Sequence, residues 1–239
     1  LQHDHAVFAN AIRAFGAVVH SDDAPLADGV DAVFATDAGL PTANGVLLLR
    51  FGKALRLPEN AHLEAALARF GVPVIGRIEA PGTVEGGDCL WLDASTLVVA
   101  EGYRTNPNGI EQLRALLPGV TVIEMPLPHA DGPSECLHLQ SLISLVGPNL
   151  ALTSLRLMPV RLVKLLEARG FARIEVPDPE YDSLGTNALC LEAGRMILPD
   201  GNPRTARLLR DAGVHVTEVP GTNLMRNGTG GPTCLTLAV

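Results

Sequence analysis

The feature that most constrains this chain is a phrase that recurs five times in its 239 residues. Each copy is an amphipathic helical stretch, a glycine or short break, and then a β-branched run. The copies are Ala11 to Val19, Ala66 to Ile75, Gln112 to Ile123, Leu165 to Ile174 and Leu208 to Val216. Glycine stands where a helix C-terminus needs a residue able to take positive φ. Paired strand-like runs separate the copies: Val30 to Phe34 with Val46 to Arg50, and Cys89 to Leu92 with Thr96 to Ala100. Farther on, His138 to Leu145 pairs with Leu150 to Thr153, and Ala188 to Glu192 with Arg195 to Leu198. The unit is strand, strand, helix, strand, at a spacing of roughly 40–55 residues, the period of an array or propeller. At the ends, Cys234 to Val239 reads as a lone strand, while the N-terminus supplies a helix and a strand without a hairpin. The expected fold is a closed five-bladed α/β propeller in one domain, the two chain ends completing one blade. An open α/β sandwich is the alternative.

Apolar residues make up 47% of the chain, enough for a substantial core, and the net charge of −8 argues against a nucleic-acid surface. Cys89, Cys136, Cys190 and Cys234 lie far apart without a CxxC pair, which excludes a disulfide scaffold or zinc finger. A reduced, cytoplasmic setting is expected, with no signal peptide visible. No apolar run reaches the roughly 18 residues of a membrane helix. Because the chain opens on Leu1, an N-terminal piece is expected to be missing from it.

Gly230-Gly231-Pro232-Thr233-Cys234 places a thiol after a Gly-Gly turn, at the mouth of an apolar run. That suits a nucleophile, although a cysteine alone is more often a packed core residue. Glu85-Gly86-Gly87-Asp88 sets two acids around glycines that allow both carboxylates to face one side. His138 opens an apolar strand and needs a polar partner there. Asp31 and Asp37 flank Ala32 to Ala35 and would share a face of a regular strand; alone they read as turn residues. Arg56 and Arg104 sit in loops, where an inward arginine makes a carboxylate clamp and an outward one is solvated. If the ring holds, Cys234, His138 and Glu85 converge on one cavity as thiolate, proton carrier and carboxylate.

Taken together, Gly82-Thr83-Val84-Glu85-Gly86-Gly87-Asp88, Tyr103-Arg104-Thr105-Asn106, Leu137-His138-Leu139, Asn202-Pro203-Arg204-Thr205 and Gly230 to Cys234 resemble, in order, the guanidine-modifying enzymes of the pentein fold. Within that fold the chain is most similar to the dimethylarginine dimethylaminohydrolases. The resemblance covers nearly the whole chain and implies a five-bladed propeller and a hydrolase that needs no cofactor and no metal. Cys234 would attack the guanidinium carbon. His138 would protonate the departing amine and then activate water, and Glu85 and Asp37 would hold the guanidinium. Arg56 and Arg104 would clamp an α-carboxylate and Asp31 would meet an α-amino group. The implied partner is a small guanidino compound, with no nucleic acid and no membrane; a homodimer is allowed. Three departures stand out. Thr36 stands where the family usually has a second acid, Leu57-Pro58 replaces the usual Arg-Gly, and the family's N-terminal strand and lid are not seen. Gln140 replaces an acid that arginine deiminases carry. The Cys, His and Glu set argues against a non-catalytic pentein such as the ribosome-binding initiation-factor relatives. The chain lacks the insertions of the longer amidinotransferases.

Overall fold

The computed structural model describes every residue except Pro25, Ala27, Asp28 and Cys136, so one of the four scattered cysteines lies outside the described residues. The regular elements in chain order are α1 (Gln2–Ala14), β1 (Gly39–Thr42), β2 (Gly45–Leu48), α2 (Pro58–Phe70), β3 (Val74–Arg77), β4 (Cys89–Asp93), β5 (Thr96–Glu101), α3 (Pro107–Leu116) and β6 (Thr121–Pro126). These are followed by β7 (Ile143–Gly147), β8 (Leu150–Thr153), α4 (Val160–Ala168), β9 (Ala172–Glu175), β10 (Leu189–Glu192), β11 (Arg195–Pro199), α5 (Pro203–Asp211) and β12 (His215–Val219). Among the described residues they make four three-stranded sheets of one design. An antiparallel hairpin leads into a helix, which returns a third strand parallel to the hairpin's second. Each middle strand therefore has both edges paired, and only the outer strands carry open edges.

The five phrase glycines, Gly16, Gly71, Gly119, Gly170 and Gly213, all have positive φ. That is why the sequence needs glycine where each helix ends and the chain turns away. The helices bury one stripe each: Ala66 and Leu67 of α2, Ile110 and Leu113 of α3, Leu162 and Leu166 of α4, Ala206 and Leu209 of α5. None is long and apolar enough to cross a membrane.

The chain divides into two compact units. One comprises residues 1–19 and 140–233, the other residues 20–139 and 234–239. The first holds α1, the β7-β8-β9 and β10-β11-β12 sheets and a core around Leu152, Met196, Leu198 and Leu209. The second holds the β1-β2-β3 and β4-β5-β6 sheets over Leu47, Leu97, Val99, Ile110 and Leu113. In it the Trp91 ring N–H donates to the Pro41 carbonyl at 3.1 Å, tying β4 to β1.

Three expectations are corrected. Val30 to Phe34 is no strand: Val30–Val33 and Ala35–Ala38 are short 3-10 turns, and β2 pairs instead with β1. Arg56 Nη2 donates to the Asp31 and Phe34 carbonyls at 3.1 and 3.4 Å, removing acceptors that a ladder would use. The expected shared strand face of Asp31 and Asp37 goes with it. Pro41 is tolerated in β1 because β1 is an edge. The strand expected from His138 begins only at Ile143, because a 3-10 turn over Leu139–Ser141 precedes it. Neither Val18-Val19 nor Cys234 to Val239 forms a strand. Val18 is exposed, and Leu237 packs against the cluster of Val46, Leu48 and Leu67 without a ladder. Apolar β-branched composition reports burial, whereas a strand also needs a neighbouring edge.

Candidate active site

Every candidate residue belongs to the unit of residues 20–139 and 234–239. Asn106 organises the loops. Its side chain caps α3 by accepting from Gly109 N–H at 2.9 Å, accepts from Thr83 N–H at 3.1 Å, and donates to the Pro81 carbonyl at 2.9 Å. One residue thus ties the Gly82 to Asp88 segment to the Arg104-Thr105-Asn106 segment. Glu85 is extended and Gly86–Asp88 form a 3-10 turn. The glycines are required because other groups press on them. A Cβ on Gly86 would stand 1.9 Å from the Thr36 carbonyl oxygen, and one on Gly87 would stand 2.4 Å from His138 Nδ1.

The two acids around these glycines take different partners. Glu85, with no exposed surface, meets His138: Nε2 lies 2.9 Å from Oε2. Gly52 N–H donates to its Oε1 at 3.1 Å, and Arg104 Nη1 is 3.4 Å from both oxygens. Burial alone would raise its pKa. The hydrogen bond and charge of His138, with Arg104 and Arg56, instead hold Glu85 down to about 2. An ionised carboxylate only accepts, so His138 Nε2 is the donor. Asp88 is held by other groups. Its Oδ2 accepts from the Thr105 hydroxyl at 2.7 Å and its Oδ1 from Leu139 N–H at 3.3 Å, while Thr105 Oγ1 accepts from Glu85 N–H at 3.1 Å. Asp88 and Thr105 thereby connect the backbones of Glu85 and of the residue after His138. Burial pushes Asp88 up to about 6, against the charge of His138 and the Thr105 hydrogen bond.

Asp37 lies on the opposite side of the imidazole. Its Oδ1 is 3.7 Å from His138 Nδ1 and accepts from Gly87 N–H at 3.1 Å. Its Oδ2 accepts from Arg56 Nη1 at 2.7 Å. Asp37, Glu85 and His138 each offer one ligand atom, all within 4.8 Å of one another, and these are the residues that could hold a cation. Two carboxylates beside an imidazole suit a planar, permanently charged guanidinium equally well. Cys234 is half-buried in a turn, and its carbonyl accepts from Thr36 N–H at 3.2 Å, next to Asp37. Thr36 is buried and joins the cysteine segment to the Gly86 turn through its backbone. By contrast, burial and Asp88 push the Cys89 thiol far above its ordinary range, and burial with Glu192 raises Cys190.

The remaining candidates are placed differently from one another. Asp31 is ion-paired with Lys53 at 2.6 Å, both partly exposed. Arg104 is mostly buried against Glu85. Arg56 is buried with Asp37 and Glu59 as partners, and Leu57-Pro58 opens α2, with Pro58 in the first turn. Sequence reasoning passed over Glu59, Thr105 and the backbone of Gly52. For Glu59 a signal existed, its i+3 spacing from Arg56.

The chain is similar to proteins of known family. Residues 152–239 match the family model for arginine deiminase. The N(G),N(G)-dimethylarginine dimethylaminohydrolase of Streptomyces coelicolor is 33% identical over 191 residues, 79% of this chain and 67% of that protein. The enzyme of the same name from Pseudomonas aeruginosa is 31% identical over 209 residues, 87% of this chain and 76% of its own. Among solved structures, a dimethylarginine dimethylaminohydrolase variant in an adduct with S-methyl-L-thiocitrulline superposes with a TM-score of 0.83 at 28% identity, covering 98% of this chain and 86% of that one. The α/β fold is that of these enzymes, and the chain belongs to the dimethylarginine dimethylaminohydrolase family of the pentein superfamily, hydrolases of amidine C–N bonds.

Proposed function

We propose that this chain hydrolyses a guanidino amino acid, with an Nω-methylated arginine as the leading substrate, through a covalent thiouronium on Cys234. The observation that carries the reading is the buried Asp37, His138 and Glu85 set, beside a segment whose Cys234 carbonyl is bonded to Thr36. Asp37 and Glu85 hold the guanidinium and align its carbon. The Cys234 thiolate attacks that carbon, forming a C–S bond. The C–N bond to the methylated nitrogen then breaks, its electron pair leaving with nitrogen, and His138 supplies the proton that releases dimethylamine. Water attacks the thiouronium carbon and gives its proton to His138. The C–S bond breaks with its electron pair on sulfur while the new hydroxyl loses its remaining proton to solvent, leaving a ureido product and the thiolate. A thiolate is the nucleophile suited to so unreactive a carbon, and proton transfer by imidazole contributes about 10²–10⁴-fold. Arg104 meets the substrate carboxylate and Asp31, exchanging Lys53, its α-ammonium. The cytoplasmic setting belongs to the same proposal, because this thiol must stay reduced. So do the five-blade closure and its single domain, supported by four sheets of one design.

The solved relatives support the substrate class: one holds citrulline and another an S-methyl-L-thiocitrulline adduct. The test is a ureido-product assay on arginine, the methylarginines and simple alkylguanidines, with Cys234→Ser as control. Turnover of a methylarginine that the variant loses is expected. No ureido product from any of them, or a tenth of the rate retained by Cys234→Ser, contradicts the proposal.

A further inference from the structure

We propose that the Thr105 hydroxyl and the Asp88 carboxylate form a positioning bridge that holds Glu85 against His138 through turnover. This rests on the guanidine reading above. Neighbouring N–H groups of the Glu85 segment go to different kinds of partner. Val84 N–H donates to the Arg50 carbonyl at 2.8 Å. The N–H groups of Thr83 and Glu85 donate instead to side chains, Asn106 Oδ1 and Thr105 Oγ1, each at 3.1 Å. A threonine hydroxyl has one proton to give, and here it goes to Asp88 Oδ2 at 2.7 Å. Asp88 Oδ1 takes the Leu139 N–H at 3.3 Å. The bonds therefore run from Glu85 N–H to Thr105, from Thr105 O–H to Asp88, and from Leu139 N–H to Asp88. Glu85 and Thr105 have no exposed surface and Asp88 has 1%, so bulk water cannot take over these bonds.

The direct contact, His138 Nε2 on Glu85 Oε2 at 2.9 Å, changes during the proposed reaction. The imidazole is charged before it protonates the leaving nitrogen and neutral afterwards, so its attraction to the carboxylate rises and falls. Glu85 also has the guanidinium to hold. Gly52 N–H and Arg104 grip the Glu85 carboxylate and leave its backbone untouched. No group of the bridge gains or loses a proton in those steps. It ties the Glu85 backbone to the backbone beside His138 without passing through either reacting side chain. A spacing held in this way is the same in every step, and such support is what keeps reacting groups aligned.

The experiment compares wild type, Thr105→Ser, Thr105→Val and Thr105→Ala at temperatures where melting curves show each protein folded. Serine keeps the hydroxyl and loses the methyl; valine keeps the shape and loses the hydroxyl; alanine loses both. Two quantities are read. One is kcat on Nω,Nω-dimethylarginine. The other is the proton resonance of the His138 Nε2–H in protein carrying ¹⁵N-labelled histidine, assigned by its loss in His138→Gly. A positioning bridge predicts that valine and alanine both shift or broaden away that resonance and lose kcat by about tenfold or more. Serine should keep the resonance and stay within about threefold of the wild-type rate. Valine and alanine variants with wild-type resonance and rate would overturn the proposal. So would a serine variant as impaired as valine, which would assign the effect to packing of the methyl group. A change in resonance without a change in rate, or the reverse, would also overturn it. Wild-type turnover in the same assay tests the guanidine reading on its own. Without turnover that reading falls, and the bridge is still decided by the resonance, which needs no substrate.

Discussion

Gly87→Ala adds a single methyl group at the tightest point of the site. Its Cβ would lie 2.4 Å from His138 Nδ1, 2.6 Å from Cγ and 3.0 Å from Asp37 Oδ1. Ordinary carbon contacts begin near ~3.5 Å, so the imidazole must retreat by about 1 Å. The ring cannot do this and keep its partner: a 2.9 Å contact to Glu85 leaves hydrogen-bonding range with a shift of that size. Overpacking of this kind costs about 1–3 kcal/mol of stability. A misplacement of about 1 Å costs on the order of 10²-fold in rate, equivalent to about 2.7 kcal/mol of barrier. The assay is steady-state ureido formation with a thermal melt of the same sample. Gly71→Ala is the control: nothing lies within 4 Å of its added methyl, but φ is +72°. It should lose stability by about 1–2 kcal/mol with its rate unchanged. If Gly87→Ala kept its rate within threefold of wild type, the contact between His138 and this backbone would not govern catalysis.

Asp88→Asn should reshape the pH dependence of stability. The folded carboxyl holds its proton up to about 6, against 3.8 ordinarily. That preference stabilises the fold fully below pH ~4 and is lost as pH rises through about 6, a change of about 3 kcal/mol. Denaturation across that window should therefore show wild type weakening relative to the asparagine variant; parallel curves would contradict the assignment. Arg104→Ala removes a charge-assisted contact of roughly 1.5–3 kcal/mol. It should raise KM for amino-acid substrates by about tenfold or more and spare alkylguanidines, and an equal loss on both would make Arg104 structural.

The repeat was legible because glycine at a helix end and β-branched residues after it are local signals. The helix and returning strand of all four complete units follow from them, but the first hairpin was paired with the wrong leading segment. The chain ends were misread because Leu237 and its neighbours are apolar for packing, and no composition reports the missing strand edge. Asp31 to Ala38 was misread because its conformation is set by Arg56, some twenty residues away, reaching back to two carbonyls. The site followed the same division. Glu85 and His138 were visible as polar residues in glycine-rich or apolar surroundings, whereas Asp37 alone read as a turn residue and joined them only through the family resemblance. Glu59 and Thr105 were missed because their roles exist only through the atoms they hold, Arg56 in one case and Glu85 N–H and Asp88 in the other.

The central claim is a covalent bond between Cys234 and the guanidinium carbon, and intact-protein mass spectrometry reads it directly. His138→Gly, mixed with a guanidine analogue whose leaving group departs without a proton, should gain the mass of the substrate minus that leaving group. Peptide mapping should place it on Cys234, and the Cys234→Ser, His138→Gly double variant should gain nothing. No mass gain with any such analogue, or a gain mapped to another residue, would contradict the account.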